Sequence, residues 1–292
     1  MTNASRGPRF GAHAFVWTPE WDEAGAKRAI SGAASVGLDF VEIPLLRLDD
    51  FPIDATTALL AKHEIGATTS LGLPADLHMP LNPKGAVQFL RRALELTAAL
   101  GSDALSGALY GHLGTLTREP PKPEELETCV YGLREVAKIA ADLGLRIGVE
   151  ALNRYETYLF NTAEQLVELL YRIDEDNVFG HLDTYHMNIE EKGFRAPIER
   201  LGDRLGYIHL SESDRGTPGT ANVHWDDVFR ALVDIGYDGP LVMESFVAVN
   251  EDIIGATCIW RDIVGDPDRM VGDGLAFLRK RAEAHRLIPA PA

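Results

Sequence analysis

Glu150, Asp183, His209 and Glu244 are the residues whose types and spacing point most directly to chemistry. Each stands at or near the end of an apolar, strand-like run: RIGVEAL, FGHLDTYHM, GYIHLSE and GPLVMESF. The gaps between them are 33, 26 and 35 residues. Each gap is about one strand-plus-helix unit, so in a parallel barrel all four side chains meet at one mouth. Ionised carboxylates are seldom buried without a compensating charge. Three in one pocket repel by about 4 kcal/mol per close pair, at an effective dielectric of roughly 20 and a separation of about 4 Å. Either some are protonated or a divalent cation sits among them. Hard oxygens with one nitrogen suit Mn²⁺, Co²⁺ or Mg²⁺ better than Zn²⁺, with one ion per chain. Taken singly, each acid is more often a solvated or capping group and the histidine a hydrogen-bonded core residue. The coincidence of four carries the reading.

Polar, glycine-containing stretches follow the same runs: ALNRYET, LDTYHMNIEE and SESDRGTPGT. They would form loops at the same face, where substrate-holding residues belong. A surface salt bridge accounts for Arg154, and a solvated helix start for Glu190 and Glu191. Arg215 reads as functional, because Gly216 and Gly219 mark a shaped loop rather than a helix face.

The elements that must position these residues alternate along the whole chain. Strand-like runs fall at 10–17, 39–45, 67–73, 104–110, 146–152, 179–187, 205–212 and 239–246. Helical patterns lie between them, among them Pro83–Leu100 and Pro123–Leu143. Pro123 followed by Glu124 and Glu125 suits a helix start, and Gly101 and Gly144 suit helix ends. Asn161-Thr162 reads as a cap for the following helix. Eight such units with no break in composition predict a single α/β domain over residues 1–292, a (β/α)8 TIM barrel with its site at the C-terminal strand ends. A doubly wound sheet is the alternative. The loops LPADLHMPLNPKG and GHLGTLTREPPKP are long and proline-rich and belong at the mouth. The segment at about 247–272 contains IIGATCIWRDIV, apolar enough for a short helix or a contact surface, and LIPAPA reads as a frayed tail.

The sequence has 292 residues, 46% hydrophobic and 25% charged, within the ordinary globular range. A net charge of −16 argues against nucleic acid as a partner, since that affinity rests on neutralising phosphates. Two cysteines, Cys129 and Cys258, form no CxxC pair and suggest a reduced, cytoplasmic setting. No apolar run is long enough for a membrane helix, and MTNASRGPRFGAHAFVW reads as a first strand rather than a signal peptide.

The strings GVEALNRYET, LDTYHMNIEE, HLSESDRGTPGT and GYDGPLVMESF resemble the ketose 3-epimerases. That group takes in the D-tagatose, D-allulose (D-psicose) and L-ribulose 3-epimerases of the xylose-isomerase-like barrels. The resemblance runs from GAHAFVW to IWRDIV. It implies that Glu150, Asp183, His209 and Glu244 hold one divalent metal, with Mn²⁺ first and Co²⁺ or Mg²⁺ as the others. It implies that Glu150 and Glu244 double as the acid/base pair, and that Glu156, His186 and Arg215 bind the O1–O2 end of a free ketose. Trp17, Trp21, Leu109 and Phe246 would face the other end, with plain barrel packing as their competing role. It points to a homodimer or homotetramer. The sequence departs from the group at Asp214 and Pro218, where other members carry a histidine and a bulky apolar residue.

The implied chemistry is coherent on its own terms. Inverting a carbon beside a carbonyl removes a weakly acidic proton and returns one on the opposite face. A cation held by O2 and O3 stabilises the cis-enediolate, and two carboxylates suffice as base and acid. No GxGxxG follows a strand, so no nicotinamide or flavin is expected. Three other readings compete. An aldose–ketose isomerase such as hydroxypyruvate isomerase, or an inosose dehydratase, would use a similar barrel. An endonuclease IV-like nuclease would need more histidines and a basic surface. A catalytically dead sugar-binding protein would not need both glutamates.

Overall fold

The computed structural model of the chain describes residues 7–246, 254–255 and 257–289. Eight strands close into one barrel in sequence order: β1 (Phe10–His13), β2 (Phe40–Pro44), β3 (Gly66–Gly72), β4 (Ala104–Ala108), β5 (Arg146–Glu150), β6 (Val178–Asp183), β7 (Leu205–His209) and β8 (Leu241–Met243). All neighbours are parallel, and β8 returns to pair with β1. Closure excludes the doubly wound alternative. The fully described α-helices are α1 (Glu23–Ser35), α2 (Ile53–His63), α3 (Pro83–Ala99), α4 (Pro123–Asp142), α5 (Ala163–Ile173), α6 (Thr184–Glu190), α7 (Arg195–Leu201), α8 (Trp225–Asp234) and α9 (Pro267–Ala284).

All eight expected strands are present, but each stops sooner than the apolar run that announced it. After β1 the backbone coils into a 3-10 turn at Ala14–Val16, where the His13 side chain accepts the Phe15 N–H. After β6 the Asp183 carboxylate accepts the Tyr185 N–H at 2.8 Å and caps α6. These early stops aim the strand-end side chains into the mouth instead of continuing the pleat.

The expected helix ends hold. Asn82 caps α3 ahead of Pro83, and Gly101 follows that helix at φ +72°. The Glu125 carboxylate accepts the Lys122 N–H at the start of α4. Thr162 and Gln165 form a capping box for α5.

The barrel floor is filled by two aromatic side chains. Phe40 on β2 and Phe179 on β6 are buried together with Ala104, Tyr207 and Val242. Room for them comes from glycines on adjacent strands: a Cβ at Gly148 would lie 2.3 Å from the Phe179 ring. From outside, Arg9 and Arg146 cover the two rings at 5.3 and 4.7 Å. Above this floor the interior turns polar, with Glu42, Thr68, Ser106, His181 and Tyr207 all buried. Barrel interiors are more often layers of Val, Ile and Leu.

Part of the segment expected as a helix or contact surface, 253–264, lies outside the described residues, as does 290–292 of the tail. Within it, Ile259 packs with Phe246 while Trp260 is 76% exposed. Among the described residues, no helix is long and apolar enough to cross a membrane.

Candidate metal and sugar site

Strand register brings the four candidate ligands together. Asp183 pairs with His209 across β6–β7, and Glu150 pairs with His181 across β5–β6. Glu244 follows β8 directly. The His209 Nδ1 atom is the focus: Glu244 Oε2 lies at 3.5 Å, Glu150 Oε1 at 3.6 Å and Asp183 Oδ2 at 3.9 Å. That nitrogen is buried and has no hydrogen-bond partner among the described residues. An unpartnered lone-pair donor facing three carboxylates suits a cation. Asp183, His209 and Glu244 can each present a ligand atom within 4.8 Å of the others, and so can Glu150, Asp183 and His186.

Charge at the site is uneven. Burial pushes the Glu150 carboxyl up to about 8, with Glu244 and Asp183 adding to the rise against the pull of His209. Burial likewise raises Glu156 to about 7 and raises Asp183. Glu244 goes the other way. Burial opposes its ionisation, but Arg215 and His209 outweigh it and hold the group below the usual carboxylate range. Arg215 Nη1 donates to Asp183 at 2.6 Å and also to Glu244. His209 is buried, yet Glu42 and Glu244 raise it well above an ordinary imidazole.

The other expected residues sort clearly by position. Glu156, His186 and Arg215 line the cavity beside Glu150 and Glu244. Asn153 Nδ2 donates to Glu156 at 2.8 Å, and the Asn153 N–H donates to His186 Nδ1 at 3.1 Å. His186 Nε2 is thereby turned toward Glu150 (3.7 Å) and Asp183 (3.8 Å). The Arg215 guanidinium lies 4.0 Å from the Tyr185 ring centroid and 5.4 Å from that of Phe246. Arg215 itself sits at φ +65°, so the glycine-flanked loop is as sharply shaped as its composition suggested.

Trp21 and Phe246 reach the cavity wall, together with the apolar side chains of Phe15, Leu46, Phe51 and Leu113. Trp17 and Leu109 do not reach it. Trp17 turns outward, packs over Gly32 and donates its indole N–H to Asp268 at 2.8 Å. Leu109 is fully buried in the packing around the barrel. Asp214 and Pro218 also stay off the cavity. Asp214 accepts the Gly216 N–H, and Pro218 is buried close to Gly274 of α9.

Glu212, in the stretch SESDRGTPGT expected at the substrate face, is instead a buried brace. It accepts the N–H groups of Ser213, Gly219 and Val223 and the Trp225 indole N–H, at 2.7–3.0 Å. Arg154 pairs with Glu190 through two 2.9 Å contacts. Glu190 and Glu191 belong to the end of α6 rather than a helix start, and Glu191 accepts the Ala163 N–H of α5.

Among the cavity residues that the sequence did not single out are two next to the candidate ligands, Glu42 and His13. Glu42, on β2, is fully buried; burial opposes its charge, but His209 and His13 keep it ionised below the usual range. His13 lies 3.3 Å from the Ser70 hydroxyl and 3.7 Å from Glu42. The cavity these groups surround has a volume of about 930 Å³.

The sequence model of the xylose isomerase-like TIM barrel family matches residues 30–281. An L-ribulose 3-epimerase of Methylomonas sp. (strain DH-1) is 39% identical, over 93% of this chain and 97% of its own. A ketose 3-epimerase of Arthrobacter globiformis is 35% identical, over 96% and 99%. The crystal structure of a D-allulose 3-epimerase from Methylomonas sp. in complex with D-allulose superposes with a TM-score of 0.91 at 38% identity, covering 94% of this chain and 97% of that one. The closed barrel with its buried acid–histidine cluster is a xylose isomerase-like TIM barrel. Within that class the chain belongs to the ketose 3-epimerases and is an isomerase.

Proposed function

We propose that this enzyme inverts C3 of free ketoses in a metal-dependent reaction, by way of a cis-enediolate. The observation that carries the reading is the meeting of Glu150 and Glu244 at one point. Glu150 comes from the end of β5 and Glu244 from the end of β8, and their carboxylates lie 3.6 and 3.5 Å from His209 Nδ1. Two carboxylates brought from different strands to one reacting centre can serve as its base and its acid. Glu150, Asp183, His209 and Glu244 would hold one divalent cation, Mn²⁺ before Co²⁺ or Mg²⁺ given the oxygen-rich donor set. When bound, the cation supplies Lewis-acid stabilisation of the negative charge that gathers on O2 and O3.

The remaining work falls to the chain's own side chains. One glutamate takes the C3 proton and the other returns a proton to the opposite face, with the roles exchanged in the reverse direction. Glu156, His186 and Arg215 hold the O1–O2 end, and Asn153 fixes the first two of them. Trp21 and Phe246, with the neighbouring apolar side chains Phe15 and Phe51, would bound the C4–C6 end and keep out water. D-allulose and D-fructose head the candidate substrates, because a similar protein was crystallised with D-allulose; D-tagatose/D-sorbose and L-ribulose/L-xylulose follow.

The test is a ketose panel in deuterated water, using metal-stripped protein with Mn²⁺, Co²⁺ or Mg²⁺ restored. Deuterium enters at C3, only with metal, and Glu244→Gln loses about 10²–10⁴-fold in exchange rate. Exchange that persists in Glu244→Gln removes Glu244 from the chemistry. A C1–C2 shift or loss of water as the main product replaces the reading with an isomerase or a dehydratase.

A further inference from the structure

The polar layer beneath the site contains a linked set of groups that touches the cluster at one atom, His209 Nε2. Glu42 Oε2 lies 2.9 Å from that nitrogen. The Tyr207 hydroxyl donates to the same oxygen at 2.7 Å, and Thr68 lies 2.8 Å behind the tyrosine hydroxyl. Tyr207 gives its one hydroxyl proton to Glu42, so Thr68 must be the donor to Tyr207. All four side chains are buried. The order is therefore Thr68, Tyr207, Glu42, His209, drawn from β3, β7, β2 and β7. Strand register supports it, since Glu42 stands opposite both His13 and Thr68.

A carboxylate only accepts hydrogen bonds, so the ring nitrogen facing Glu42 carries the hydrogen. In the neutral ring the lone pair is then on Nδ1, the atom that faces the three carboxylates without a partner. We propose that Glu42 is a positioning residue of the metal centre: its hydrogen bond to His209 Nε2, held in place by Tyr207 and Thr68, fixes the imidazole tautomer and aims Nδ1 at the cation. A ligating histidine whose other nitrogen is held by a carboxylate is a stronger and better-oriented ligand, and losing such a partner lowers metal affinity by about 10–100-fold. The inference rests on the reading that the cluster holds a metal.

The experiment titrates Mn²⁺ alone into metal-stripped wild type, Glu42→Leu, Glu42→Gln and Tyr207→Phe by calorimetry, with thermal melts of each metal-free protein. Glu42→Leu is expected to bind Mn²⁺ about 10–100-fold more weakly. Glu42→Gln, which retains an acceptor for Nε2–H, falls between it and wild type, and Tyr207→Phe loses a smaller factor. A second readout is the imidazole ¹⁵N spectrum of His209 in metal-free protein at alkaline pH, where the ring is neutral. Wild type and Glu42→Gln keep the proton on Nε2, whereas Glu42→Leu populates both tautomers, a change that general loosening of the barrel does not produce. If Glu42→Leu does not fold, Glu42→Gln and Tyr207→Phe decide the matter. Wild-type affinity and a single tautomer in the folded variants overturn the role of Glu42 and leave the metal reading standing. A wild type that binds no divalent ion overturns both.

Discussion

At the residue scale the site stores protons where a cation would go. Glu150 is pushed up to about 8 by burial, and Glu156 to about 7. A carboxyl must lose its proton before it can ligate, so binding releases protons and affinity follows pH. The sign is fixed by the direction of the Glu150 shift: below about 8 the folded protein holds a proton that the metal must displace. Apparent Mn²⁺ affinity should climb from about pH 6 to about pH 8 and go on rising while His209, held well above an ordinary imidazole, loses its proton; titration in weak buffer near pH 7 should acidify the solution. An affinity that is flat across that range would contradict this assignment. The four candidate ligands were legible because acids interrupt apolar strands at one-unit intervals. Glu42 in FVEIP carries the same signal. It was missed because its partner, His209, lies 167 positions away, and no local pattern links the two. Trp17 and Trp21 are equivalent in sequence. Which of them faces the cavity depends on the 3-10 turn after β1 and on an indole bond to Asp268, 251 positions along the chain.

At the element scale the ligands depend on a floor of two phenyl rings seated over glycines. Gly148 lies two residues before Glu150 on β5, and a Cβ there would come within 2.3 Å of both the Phe179 ring and the Ser106 hydroxyl. Gly148→Ala should therefore cost about 1–3 kcal/mol by overpacking, measurable by denaturant unfolding. It should also weaken metal binding, because a shift of β5 away from the Phe179 ring carries Glu150 with it. A variant as stable as wild type and with unchanged metal affinity would mean that the floor is looser than its contacts imply. The order of the eight strands and the helices α3 and α4 were readable from periodicity and caps. Strand ends were not, because the apolar runs continue into turns and into α6, and the polar groups that end each strand act only after the backbone has already turned. Glu212 illustrates the same limit. A strand-end acid looks alike whether it serves a substrate or, as here, gathers the N–H groups of its own loop.

At the scale of the whole molecule, the acidic surface suits a partner that brings no phosphate backbone, and the exposed Trp260 offers an apolar contact for a second copy. Size-exclusion chromatography with light scattering should give a dimer or a tetramer; a monomer at micromolar concentration would remove that expectation. The pairing of β8 with β1 has a different kind of consequence, one of timing. The last strand is three residues long, is held by the first strand of the chain, and delivers Glu244. A growing chain leaving the ribosome thus carries three of the four candidate ligands and no closed mouth to place them in. An ion held there as proposed would be taken up by a finished barrel, so the metal pool that the released protein meets would decide what it carries. Refolding in stopped-flow experiments should run at one rate with or without Mn²⁺, while unfolding slows when Mn²⁺ is bound. Refolding that accelerates with Mn²⁺ would place the ion earlier, inside the folding nucleus itself.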